Sequence, residues 1–116
     1  MPTELPVIAD CYALTLELSR RVEKFPRHHR ATLGAELTGR SRDILAGLIR
    51  ARYAPPAARP PLLVAVNVEL ELLRFGLRLA ADLRALPLGG HGHLIRLAAQ
   101  VGAQVGGWLK ATRTGE

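Results

Sequence analysis

The chain has 116 residues, a formal charge of +6 and a sequence pI near 10.7; 48% of it is hydrophobic but only 4% aromatic. One domain of this size buries roughly two-thirds of its unfolded surface, so it folds without metals or disulfides. A core of Leu, Ala and Val favours helices over a β-sandwich, and the lone Cys11 excludes an internal disulfide framework.

The first apolar stripe, at helical spacing over about 5–24, is Leu5, Ile8, Cys11, Tyr12, Leu18, Val22 and Phe25. Pro6 suits a first turn, and Pro26 disfavours helix at Phe25. A second helix over about 30–53 turns Leu33, Leu37, Ile44, Leu48 and Ile49 inward, with Gly34 and Ser41 in or beside that stripe for close helix approach. The proline-rich run from Ala54 to Pro61 reads as a stiff connector, from which Pro61 starts the third helix, about 61–86.

That third helix is the most apolar. Leu62, Val66, Leu70, Leu73, Leu77, Ala80 and Leu83 make one stripe, and Leu63, Leu72, Phe75, Leu79 and Leu86 widen it beyond what one neighbour covers, which points to a second subunit. Pro87-Leu88-Gly89-Gly90 turns the chain into a last helix over about 91–112, with Leu94, Leu97, Val101, Val105 and Trp108 aligned and Ala98, Gly102 and Gly106 beside them. The tail from Thr112 is expected to fray. Four such helices with short joints predict a single all-α domain, an antiparallel up-down-up-down four-helix bundle.

Fourteen of the 16 basic residues are Arg, only Lys24 and Lys110 being Lys. Such a surface suits RNA, DNA or an acidic protein, or serves solubility alone. Arg74 and Arg78 stand one turn apart on one face of the third helix, a pair of guanidinium forks suited to phosphates or a partner's carboxylates. Glu71 and Asp82 stand at i, i+3 and i, i+4 spacing from them, so ordinary surface ion pairing is the competing reading. The run Arg20-Arg21, Lys24, Arg27, His28, His29, Arg30 reads either as a second phosphate-contacting patch or as cations capping a helix C-terminus. His28-His29 and His91-Gly92-His93 lack the spacing of a metal site, and no catalytic constellation stands out. No metal and no cofactor are expected. Trp108 with Gly106-Gly107 could stack a base, but its place on the apolar stripe favours core or subunit interface. The start MPTELPVIAD has no basic leader, and no stretch reaches ~18 uninterrupted apolar residues, so a cytoplasmic protein without a membrane partner is expected.

Four segments in order, ELPV (4–7), KFPRHHRATLG (24–34), ELELLRFGLRLAADL (69–83) and VGGWLK (105–110), give the chain a resemblance to the Avd-like four-helix proteins. These are accessory variability determinants of diversity-generating retroelements, related to proteins encoded by intervening sequences in 23S rRNA genes. The resemblance implies a non-enzymatic bundle that assembles as a homopentameric ring, partners a reverse transcriptase, and binds RNA or DNA during mutagenic copying. It matches family positions at Arg74, Arg78 and Arg27, expected to make nucleic-acid or partner contacts, to which the basic run adds Arg20 and Arg30. It also matches the closing Gly-Gly-Trp at Gly106, Gly107 and Trp108; the apolar stripes themselves put Phe75, Trp108 and Gly106 in oligomer or core contacts. The chain departs from its relatives at Ala103, where a basic residue is often found, at Ala31, often aromatic, and at His91-Gly92-His93. Two alternatives accompany this reading. One is the intervening-sequence type of undefined role. The other is a HEPN-type ribonuclease, suggested by the spacing of Arg84 and His91 but opposed by Pro87, Gly89, Gly90 and Ala85.

Overall fold

Proline punctuates every joint of the computed structural model, which describes residues 5–113. Helix α1 (Pro6–Val22) opens on Pro6, whose missing N–H belongs to a turn that would leave it unpaired anyway. It closes two residues before the expected Lys24, because Pro26 forces Phe25 out of helix. The last turn tightens, with Lys24 N donating to Arg21 O (3.0 Å) and Phe25 N to Val22 O (3.0 Å).

Helix α2 starts at Arg27, earlier than the expected Arg30, because the Pro26 carbonyl accepts from both His29 N (2.9 Å) and Arg30 N (3.1 Å). It runs as Arg27–His29, a π turn at Arg30–Gly34, and Ala35–Tyr53. A methyl group on Gly34 would stand 2.6 Å from Val22 Cγ1, so this glycine does allow α1 and α2 to approach. Buried Ser41 is satisfied by donating to Thr38 O (2.8 Å).

The proline-rich joint is shorter and more helical than its composition predicts. A 3-10 turn, Pro56–Ala58, leads directly into α3 (Arg59–Asp82), whose first turn absorbs Pro60 and Pro61 without losing a hydrogen bond. Arg59 also closes the preceding helix: its Nε donates to Ala51 O (2.8 Å) and its Nη2 to Ala54 O (3.0 Å), pairing carbonyls that a helix end leaves free.

Helix α3 stops at Asp82, short of the expected Leu86. Ala85 N donates to Ala80 O (2.9 Å) and Arg84 N to Ala81 O (3.0 Å), the paired bonds of a Schellman stop. Arg84 holds its left-handed position at φ 60°, the one non-glycine residue with positive φ among those described. Helix α4 (Leu88–Arg113) then begins before His91, so Gly89 and Gly90 lie in its first turn. Glu4 of the ELPV segment and the end of the expected frayed tail, 114–116, lie outside the described residues.

Leu14, Leu18, Leu37, Ile44, Leu48, Leu70, Leu73, Leu77, Leu94 and Val101 fill the space between the four helices, and Phe25 plugs one end. Each helix packs on two others, α1 on α2 and α4, and α3 on α2 and α4. Three residues assigned inward from their spacing face out. Tyr12 and Ile49 sit one position beyond buried Cys11 and Leu48, and Leu83 lies past the last turn of α3. No strand occurs among the described residues, and none of their helices is long and apolar enough to cross a membrane.

A left-handed conformation costs arginine about 1 kcal/mol that glycine does not bear. Arg84→Gly is therefore expected to raise the thermal midpoint by roughly 4 °C in a calorimetric scan. An unchanged or lower midpoint would mean that the arginine side chain itself holds the joint.

Candidate nucleic-acid interface

Burial of Leu73 and Leu77 sets the rotation of α3, and each is followed by an arginine about 100° further round the helix. Arg74 and Arg78 therefore flank the core face and border α4. Together with Glu71, Phe75, His91 and Ile95 they line an open groove of about 260 Å³ between the two helices. Gly102 seats the first of them: a methyl group there would stand 2.6 Å from Arg74 Nη2. The space left by Gly102 is thus used by a guanidinium and not by a neighbouring backbone. Around Gly106 there is open space, and Phe75 is 61% exposed, so neither belongs to the core of a single chain.

The competing ion-pair reading is met only in part. Arg78 Nε stands 3.9 Å from Asp82 Oδ2, with both side chains about 70% exposed, a contact that water screens heavily. Arg74 has no carboxylate within salt-bridge distance among the described residues, although Glu71 lines the same groove. His91 joins the site, and sequence reading missed it. Its Nε2 is buried without a hydrogen-bond partner. The usable signal was symmetry about the 83–87 joint, which puts the start of α4 opposite the end of α3.

Other basic residues divide by what they touch. Arg40 is taken up structurally, bonded to Glu69 (2.6 Å) and Glu36 (3.5 Å), and the Glu69 hydrogen bond holds its guanidinium more firmly in the charged form. Arg21 pairs with Glu17 (2.7 Å) and donates to His93 Nδ1 (3.2 Å). Arg20 is exposed in a crease with Glu17 and His93, apart from the groove. Arg27 and Arg30 are exposed on the first turns of α2, Arg30 reaching Phe25 O at 3.4 Å. Arg84 and His91 line separate clefts, so the spacing suggestive of a ribonuclease does not bring the two to one site. Trp108 is half-buried at the far end of α4 under Arg59, 5.7 Å from guanidinium carbon to ring centre. The cleft there, about 420 Å³, is the larger one, but it is mainly apolar and its Arg59 is already spent capping α2.

The described residues thus form an all-helical bundle with an arginine-bearing groove and an exposed aromatic ring beside it. The family model described as bAvd-like matches residues 13–112, and the chain belongs to that family. No curated protein matches it.

Cys11 is fully buried, and that burial pushes its thiol up to about 12. Raising an acid's pKa in the folded state means that folding favours the neutral thiol. The stability this brings is complete below the ordinary value of 9.0 and is lost as pH rises toward 12. Between these limits, urea midpoints are expected to fall more steeply for the wild type than for Cys11→Ala. Parallel profiles would contradict this assignment of the thiol.

Proposed function

We propose that this protein is a non-enzymatic accessory factor of a diversity-generating retroelement, a basic oligomeric scaffold that binds nucleic acid and a reverse transcriptase during mutagenic copying. Family membership supports the retroelement role and the polymerase partner. The observation that carries nucleic-acid binding is the groove: Arg74 without an acidic partner, Arg78 only loosely paired, and Phe75 exposed beside them. Phosphates there would displace condensed counterions, giving affinity with little sequence preference.

The bundle is read as antiparallel, up-down-up-down. Supporting contacts join early α1 to late α4 (Gln104 Nε2 donating to Asp10, 2.7 Å), late α1 to early α4 (Arg21 to His93), and early α2 to late α3 (Leu37 beside Gly76).

A ring of copies, taken as five, is supported by the outer face of α3. Val64, Val68, Leu72, Phe75, Leu79 and Leu83 are each 40–61% exposed. Their 4-4-3-4-4 spacing repeats every 11 residues, close enough to the helical period for nearly straight helices to pack along it. Because Phe75 belongs to both stripe and groove, subunit contacts would run beside the arginines, and each copy would add its pair to one positive surface.

The reading is tested by anisotropy with single-stranded RNA and DNA of about 20 nucleotides, titrated from about 50 to 200 mM salt. Wild type is expected to lose affinity steeply with salt. Arg74→Ala/Arg78→Ala should bind more weakly, with the log–log slope shallower by about 1.4, since each phosphate contact contributes about 0.7 on single strands. Equal slopes in two equally folded proteins would remove the groove from nucleic-acid binding.

A further inference from the structure

Another cleft, of about 250 Å³, opens where the first and third joints meet, lined by Arg21, Lys24 and Arg84 together with Pro26, Ala85, Leu86 and Pro87. No carboxylate lines it. Arg21 is already neutralised by Glu17 at 2.7 Å. Lys24 and Arg84 make no ion pair and no side-chain hydrogen bond among the described residues. Asp82, the nearest acid to Arg84 in sequence, stands by Arg78 instead, and Glu23 beside Lys24 is exposed and outside the lining. Two uncompensated charges thus converge from two different joints onto one concavity.

Arg84 is the more informative of the two. Its left-handed position is one that helix-stop geometry assigns to glycine, and arginine occupies it at a steric cost. Strain of this kind persists where the side chain is needed, and here the side chain lines the cleft. A strand's internal phosphodiester carries one negative charge, whereas a phosphate monoester carries nearly two at neutral pH. The two free cations, with Arg21 behind them as a further donor, match the dianion.

We propose that the Arg21–Lys24–Arg84 cleft binds a phosphate monoester, and that its source is the 5′-phosphorylated end of a nucleic-acid strand. The choice of source rests on the nucleic-acid reading given above; the monoester chemistry does not. A phosphate with part of its sugar fits the volume, and Pro87 and His91, one residue from each cleft, are joined across the turn that opens α4, His91 N donating to Pro87 O (2.9 Å). A strand whose end sits at Arg84 could therefore continue into the Arg74–Arg78 groove.

The test compares 5′-phosphorylated and 5′-hydroxyl forms of one oligonucleotide, and measures thermal stabilisation by adenosine 5′-monophosphate, on wild type, Arg84→Gly and Lys24→Gln. Arg84→Gly suits the left-handed backbone, so loss of binding in it cannot come from misfolding. Wild type is expected to bind the phosphorylated end about fivefold more tightly, with the ratio near one in both variants, and the mononucleotide should raise the midpoint of wild type only. Equal affinity for the two ends together with no mononucleotide shift overturns the site. Equal affinity with a shift that Arg84→Gly abolishes overturns the strand end as source and assigns the site to free nucleotides. If neither oligonucleotide binds, the nucleic-acid reading falls on its own, and the mononucleotide shift alone upholds or overturns the monoester site.

Discussion

The rotation of α3 about its own axis decides most of what this molecule presents to its surroundings. Burying Leu63, Val66, Leu70, Leu73, Leu77 and Ala80 leaves no freedom in which residues face out. Arg74 and Arg78 fall on the flank next to α4, and the row from Val64 to Leu83 falls on the outer side. Turning the helix to cover that outer row would expose leucines whose burial is worth about 1.5–3 kcal/mol each. The uncovered stripe and the arginine groove are therefore two consequences of one packing choice. Their adjacency at Phe75 couples any association along α3 to the charge beside it.

The glycines of α4 complete the arrangement. Gly102 leaves room for the guanidinium of Arg74, and Gly90 does the same for Arg21, where an added methyl group would stand 2.5 Å from Nη1. In both places, the absence of a side chain on one helix positions a cation from another. Glycine in a helix interior costs up to about 1 kcal/mol relative to alanine, so at Gly102 the helix gives up local stability where Arg74 is seated. The π turn after the first turn of α2 and the strained Arg84 closing α3 are further departures from regular helix. Arg84 belongs to the third joint, while Lys24 stands in the first joint and Arg27 and Arg30 follow it in sequence.

Periodicity made the four helices legible, because Leu at helical spacing leaves little choice of partner face. The surplus of apolar positions on α3 foretold an uncovered side for the same reason. Joint boundaries were harder to read. Pro60 was read as part of the stiff connector and Pro61 as the first helical residue, whereas the helix starts at Arg59 and holds both in its first turn, and Gly89-Gly90 was taken as a turn where it is helix. The pairing of Arg74 with Arg78 followed from spacing alone. Their partnership with His91 and the seat at Gly102 did not, because both depend on the axial register of α3 against α4, which side-chain packing sets and a one-dimensional pattern does not carry. The role of Arg59 as the cap of α2 was invisible for the same reason.

On the proposed reading, the outer stripe of α3 is a subunit contact that gathers the arginine grooves into one surface. Light scattering on the purified protein tests this most directly. A mass about five times the 12.6 kDa chain is expected, falling to a single chain in Leu72→Glu/Leu79→Glu while the helical circular dichroism is retained. A wild-type protein that stays at one chain mass across micromolar to near-millimolar concentration would contradict the account, leaving the stripe without the role assigned to it.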